Sequence, residues 1–313
     1  MNRQYIGRLY LALAMITVGS TTVASKLIGQ GLSPVVATAL RFSLAFPIFL
    51  VLMRLTRSKL TIAGWRDGLL LLAQGAAGSV GYSILLIGGL QHTTATDAGL
   101  ILGLLPGASA LLSMTFLRER TSRLVPVAAG LATLGVLLAS VGTISSGAAH
   151  RTLEGDVMVF GAVVCESAFI LLNKRLRQPL APLVQSTVMS GLGLCLTLPF
   201  AASTLKHDVQ MAGSEPLLGV LYYAIVPTVA GFWLWYAGSS RVSGSEAAVF
   251  TALAPLSSAA LAYLFLHEPP TPARVAGLIL VVSAILLLGL KKPFEKDRRQ
   301  DPARVPGESG RQC

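Results

Sequence analysis

The sequence predicts an all-α integral membrane protein of about ten transmembrane helices, built as two inverted five-helix repeats with both termini in the cytoplasm. Three observations predict it. The first is composition: 53% of the 313 residues are hydrophobic, 12% are charged and the mean hydropathy is +0.67. That is more apolar surface than a soluble core of this length hides, so lipid must cover part of it. The second is the recurrence of apolar runs long enough to cross a bilayer. The third is a stretch that the chain writes twice.

The duplicated stretch occupies residues 96–142 and 245–289. In each copy a carboxylate (Asp97, Glu246) opens an apolar run, a proline (Pro106, Pro255) follows, and a glutamate (Glu119, Glu268) closes it. The same offset of 148 to 149 residues pairs Lys26 with Lys174, Pro34 with Pro182 and Tyr82 with Gly231. One five-segment unit has therefore been duplicated. The repeats are placed at 8–142 and 153–290, with 291–313 as a disordered basic cytoplasmic tail.

In chain order the apolar segments are 9–28, 34–54, 68–89, 96–117, 124–142, 155–172, 182–202, 217–238, 246–266 and 273–290. Each approaches the roughly 20 residues that an α-helix needs to span a hydrocarbon core of about 30 Å. A transmembrane barrel would instead show alternating runs of about ten residues. Gly-Pro-polar punctuation, such as Gly29 to Pro34, separates the runs. The first run is read as a helix rather than a cleaved leader, because the second repeat holds its equivalent internally, where no leader acts. Cys165 and Cys195 lie within apolar segments and Cys313 ends the chain, so no disulfide framework is implied.

Lysine and arginine set the orientation. With a cytoplasmic N-terminus, 20 of the 25 basic residues fall on the cytoplasmic side, 13 of them before the tail and seven within it. The opposite side holds Lys26, Arg151, Lys206 and Arg274, and Arg41 lies within a helix. Topology and contact with anionic lipid thus account for the net charge of +11 without a nucleic-acid partner. An odd helix count per repeat makes the second copy enter from the opposite face. Inverted repeats are the usual build of secondary transporters, with the substrate site near the bilayer midplane.

Several motifs resemble the ten-helix, EamA-domain branch of the drug/metabolite transporter superfamily. Val18-Gly19-Ser20 followed by Lys26 is similar to its Trp-Gly-Ser…Lys, and Leu40-Arg41-Phe42 to its Leu-Arg-Phe. Pro106 with Glu119 and Pro255 with Glu268 match its repeated proline and closing glutamate, and Trp233-Leu234-Trp235-Tyr236-Ala237 its aromatic eighth helix. The likeness spans about residues 8 to 290. It implies a secondary transporter with a central cavity between the halves, often an exporter of amino acids and other small metabolites. Val18 in place of tryptophan, and Glu166 at an aromatic position, depart from the pattern and alter the cavity wall.

Candidate site residues follow from polar chemistry inside apolar helices. Glu166 lies about eleven residues into its helix, about 16 Å deep, where an acid must be protonated, paired or hydrated. It is the candidate coupling residue. Arg41, about 10 Å below the outer helix end, must face a cavity or an acid; it suits a substrate carboxylate or a fixed pair between helices. Lys26 reads as a snorkelling interface residue. Pro106 and Pro255 are expected as a matched pair of mid-helix kinks. Trp233 and Tyr236, three apart, share a helix face that would wall a pocket together with Tyr82. Ser20, Gln74 and Thr251 suit either substrate contact or bonds between helices. Glu119 and Glu268 are expected as structural helix-end caps, and Asp97 and Glu246 as ordinary acids at helix N-termini.

The expectation is a small-molecule exporter of the bacterial inner membrane, its substrate amino-acid-like or amphipathic, working by alternating access. No cofactor, metal or catalytic residue is expected. His92, His150, His207 and His267 fall at helix ends or loops and no Asp lies mid-helix, against an intramembrane hydrolase. Protons are a candidate coupling partner; an uncoupled facilitator or exchanger, an uptake permease and a non-transport receptor are the alternatives. Substrate, direction and oligomeric state stay open.

Overall fold

A computed structural model describes residues 3–60, 64–92, 101–102, 104–117, 124–141, 153–254, 256–257, 260–261 and 272–289. Asp97, Glu119, Pro255, Glu268 and the tail 291–313 lie outside the described residues, and of Lys26 only the backbone is described. The elements are α1 (Arg3–Gly19), α2 (Thr21–Ile28), α3 (Pro34–Leu55), α4 (Trp65–Gln74), a wide π turn (Gly75–Gly81), α5 (Tyr82–His92), α6 (Leu105–Leu117) and α7 (Leu124–Val141). The second half follows with α8 (Leu153–Asn173), α9 (Pro182–Ala201), α10 (Leu205–Met211), α11 (Ser214–Tyr223), a second π turn (Ala224–Gly231), α12 (Phe232–Ser239), α13 (Gly244–Phe250) and α14 (Pro272–Gly289). The fold is all-α, with no strand among the described residues.

Among the described residues five helical stretches are long and apolar enough to cross a membrane: Pro34–Leu55, Trp65–Leu90, Leu153–Asn173, Pro182–Ala201 and Ser214–Ser239. Shorter apolar helices stand beside them. Their outward faces carry Val51, Leu111, Leu134, Phe160, Leu218 and Leu286, all exposed. A soluble protein would not leave so much large apolar surface bare; acyl chains cover it here.

The packing pairs reveal the duplication. Equivalent elements in the two repeats are α1 and α8, α3 and α9, α4–α5 and α11–α12, α6 and α13, and α7 and α14. Helix α3 packs on α9, α6 on α13 and α7 on α14, each against its own counterpart. Helix α1 packs on α12 while α5 packs on α8, and exchanging the repeats turns one contact into the other. The interhelical contacts therefore obey a pseudo-two-fold exchange of the halves, as an inverted repeat requires.

Small residues permit this closeness. A side chain on Gly238 would meet the Gly7 carbonyl at 2.8 Å, so α1 and α12 touch backbone to backbone. The two π turns interrupt equivalent helices at equivalent places. In the second, Pro227 lacks an amide hydrogen, and the Thr228 hydroxyl donates instead to the Tyr223 carbonyl at 2.8 Å. In the first, the Tyr82 amide donates five residues back to Ala77.

Between α1 and α2, the hydroxyls of Thr17, Ser20 and Thr21 each donate to a carbonyl three residues back, at 2.6 to 2.7 Å. Such back-bonding competes with the helix ladder. It breaks the first transmembrane segment at Ser20.

Candidate functional site

The π turns and the break at Ser20 converge on one cavity between the halves. Met15, Val18, Thr21, Arg41, Gly78, Tyr82 and Ser83 line it from the first repeat. Glu166, Phe169, Tyr223, Pro227, Thr228, Gly231, Phe232 and Trp235 line it from the second. Its free space is about 60 Å³, room for a few water molecules only. In this conformation the cavity is constricted.

Arg41 is held firmly. One terminal nitrogen donates to the Ser79 carbonyl at 3.1 Å and to the Ser83 hydroxyl at 3.2 Å. Its guanidinium lies between two rings, 4.2 Å from the centroid of Phe42 and 4.6 Å from that of Tyr223. No carboxylate pairs with it among the described residues. Across the same cavity, Glu166 makes no hydrogen bond or ion pair among the described residues. A cation and an acid therefore line one membrane-embedded cavity without neutralising each other.

The wall is set by a close approach. A Cβ on Gly78 would sit 2.2 Å from the Phe169 ring, so only glycine lets Phe169 lean across the turn. Phe169 in turn packs against Trp235 and Tyr236, with centroids 6.2 and 6.0 Å apart.

Toward the N-terminal face lies a cluster of polar contacts, some within the second repeat and others, through Gln74 and Arg8, crossing to the first. Gln185 donates to the Gln74 side-chain oxygen at 3.3 Å and to Asn173 at 2.7 Å, and Asn173 donates to Ser239 at 3.1 Å. Gln74 is fully buried, with its amide nitrogen 3.4 Å from the Phe169 carbonyl and 3.5 Å from the Tyr236 hydroxyl. Nearer the surface Arg8 pairs with Glu246 at 2.7 Å, and Lys174 donates to the carbonyls of Ser239 and Val242. On the opposite face the Tyr222 hydroxyl donates to Ser20 at 2.8 Å, and Ser33 to Asp208 at 2.8 Å.

Two segments of the chain, residues 5–141 and 153–290, match the EamA-like transporter family. The chain belongs to that family. It is similar to an uncharacterized transporter, YetK, of Bacillus subtilis (strain 168), at 31% identity over 90% of this chain and 86% of the relative. It is also similar to a probable amino-acid metabolite efflux pump of Salmonella typhimurium, at 27% over 89% and 93%. A probable terminal-alkyne amino-acid exporter of Streptantibioticus cattleyicolor matches at 25% over 74% and 76%. A solved crystal structure superposes with a TM-score of 0.73 at 20% identity, covering 91% of this chain and 98% of its own. That likeness concerns the fold. With two EamA-like repeats and relatives named as transporters, the protein is a multi-pass membrane transporter.

Within this EamA-like frame the structure sorts the candidate residues. Arg41, Tyr82 and Glu166 line the cavity together. Gln74, Tyr236 and Ser20 do not line it: Gln74 bonds the Phe169 carbonyl and the Tyr236 hydroxyl, and Ser20 accepts from Tyr222. Thr251 is buried and bonds back to Ala248 in its own helix, away from the cavity. Trp233 is not a cavity residue: it is 41% exposed and packs on Tyr10, with centroids 5.7 Å apart. Trp235, two positions on, lines the cavity instead. Pro106 is the second residue of α6, with helical residues 101–102 and a turn at Leu104 before it, so it stands next to an interruption of the helical segment. Glu246 does more than sit at a helix start, because it is 2% exposed and holds Arg8 across the halves. Sequence reasoning missed Phe169 and Trp235; the available signal for Trp235 was its place in the aromatic eighth helix.

Proposed function

We propose that the protein exports a small amphipathic or amino-acid-like metabolite across the bacterial inner membrane by alternating access, with Glu166 as the coupling residue. The observation that carries this is an unpaired carboxylate in a cavity between two exchange-related halves. An acid at membrane depth is expensive to ionise, so its charge state depends on whether water, a proton or a substrate cation reaches it. As the halves rock, Glu166 meets one face and then the other and gives up or takes a proton on each. The names of the relatives from Salmonella typhimurium and Streptantibioticus cattleyicolor point to amino-acid-like cargo.

The polar contacts that cross between the halves at the N-terminal face support a resting state closed toward the cytoplasm. Rearranging the Gln74–Gln185–Asn173 bonds and the Arg8–Glu246 pair would open it. The test is the metabolite profile of spent medium from cells overproducing the wild type, the Glu166→Gln variant or neither. Enrichment of one metabolite class by the wild type alone is the expected result. Three matching profiles, with both proteins folded in the membrane, would remove the export reading.

A further inference from the structure

Among the described residues six buried side-chain nitrogen or oxygen atoms lack a hydrogen-bond partner. Two of them, Arg41 Nε and Trp235 Nε1, belong to residues that line the cavity. Buried donors are almost always satisfied, so an unsatisfied pair in one cavity asks for an acceptor. One donor sits on a permanent cation that no acid among the described residues neutralises, and an anionic oxygen answers that need better than a neutral one.

The same cavity holds Glu166, which among the described residues lacks a cation just as Arg41 lacks an anion. If the two were meant for each other, the fold would pair them. The fold leaves them unpaired instead and flanks the Arg41 guanidinium with the rings of Phe42 and Tyr223.

We propose that Arg41 Nε and Trp235 Nε1 form a carboxylate subsite, and that the substrate is a zwitterion whose carboxylate takes these two donors while its ammonium faces Glu166. This rests on the reading of the cavity as the transport site. Trp235 is then a specificity residue, chosen for its N–H as much as for its ring. Phe169 and Phe232 offer apolar surface to whatever side chain the zwitterion carries.

The experiment uses the full chain in proteoliposomes and three equimolar pools read by mass spectrometry. One pool contains the twenty protein amino acids, one the matching amines without the carboxylate, and one the matching acids without the amine. The expected result is counterflow of at least one amino acid, with its amine and acid analogues at least about tenfold slower, the scale of one lost charged hydrogen bond. Trp235→Phe should raise KM for that amino acid about tenfold and raise it for any transported amine by a smaller factor. Trp235→His, which keeps a ring N–H, should recover part of the loss. A merely structural tryptophan would lower all fluxes together. Amine flux equal to amino-acid flux, an unmoved KM in Trp235→Phe, or no flux from any pool would each overturn the subsite. Failure of the exporter reading is separate, since it also leaves the spent medium unchanged, whereas enrichment of a metabolite that is not a zwitterion keeps the exporter and removes the subsite.

Discussion

Arg8 Nε donates to Glu246 Oε1 at 2.7 Å, and both residues are buried, at 9% and 2% exposure. The pair joins α1 of the first repeat to α13 of the second. By the repeat offset, the counterparts of Arg8 and Glu246 are Asp156 and Asp97, two acids. The sequence therefore provides a salt bridge at this place in one repeat pairing and like charges at the equivalent place in the other. Removing one partner of a buried pair strands the other and costs about 3–5 kcal/mol. Arg8→Ala and Glu246→Ala are each expected to lower the melting temperature in detergent markedly. The double exchange Arg8→Glu with Glu246→Arg should recover a substantial part. A double mutant as unstable as the sum of its singles would show that no pairing energy exists.

Glu166→Gln keeps the size of the side chain and removes its charge and its titration. If Glu166 carries protons, the variant should lose accumulation driven by a pH gradient in proteoliposomes while keeping substrate counterflow, which needs binding and rocking but no net proton movement. Equal gradient-driven accumulation in variant and wild type would take Glu166 out of the coupling role. Loss of both activities with an unchanged melting temperature would make it a binding residue.

Composition, spacing and charge made the architecture legible, because crossing a bilayer demands apolar runs of fixed length and duplication repeats their landmarks. Depth was legible too: Arg41 and Glu166 stood out as charges inside apolar runs, and both line the cavity. Azimuth around a helix was not. Trp233 and Trp235 are equally aromatic, and the π turn ahead of them shifts the helical phase by one residue, so ordinary 3.6-residue spacing cannot tell which ring faces inward. The Arg8–Glu246 pair was hidden because the partners lie 238 residues apart. Nothing in either local sequence points to the other.

Gly78 tests the cavity wall directly. Its replacement by alanine places a methyl group within 2.2 Å of the Phe169 ring, and that ring is hemmed by Trp235 and Tyr236. Overpacking of this kind costs about 1–3 kcal/mol. Gly78→Ala should therefore lower the melting temperature modestly and reduce flux more than stability alone explains, because the displaced ring fills the site. The double variant Gly78→Ala with Phe169→Leu should restore stability by freeing the space. Wild-type flux in Gly78→Ala would mean that Phe169 yields without narrowing the cavity.

On the outer face, Ser33 donates to Asp208 at 2.8 Å, linking the loop after α2 to α10 of the other repeat. The Ser33 hydrogen bond, aided by neighbouring His207, holds the Asp208 carboxyl below its ordinary range. The sign follows. A carboxyl whose folded pKa lies below its unfolded value of about 3.9 stabilises the fold above that value and stops doing so as pH falls through the folded pKa. The link is therefore complete at neutral pH and disappears only in strong acid. Ser33→Ala should melt below the wild type near neutral pH, with the gap closing only in acid below the ordinary carboxylate range, where Asp208 protonates in both proteins. Because Asp208 lies at the surface, added salt should narrow the gap as well. A difference that holds constant from neutral pH to strong acid would assign the effect of Ser33 to packing at the start of α3 rather than to its bond with Asp208.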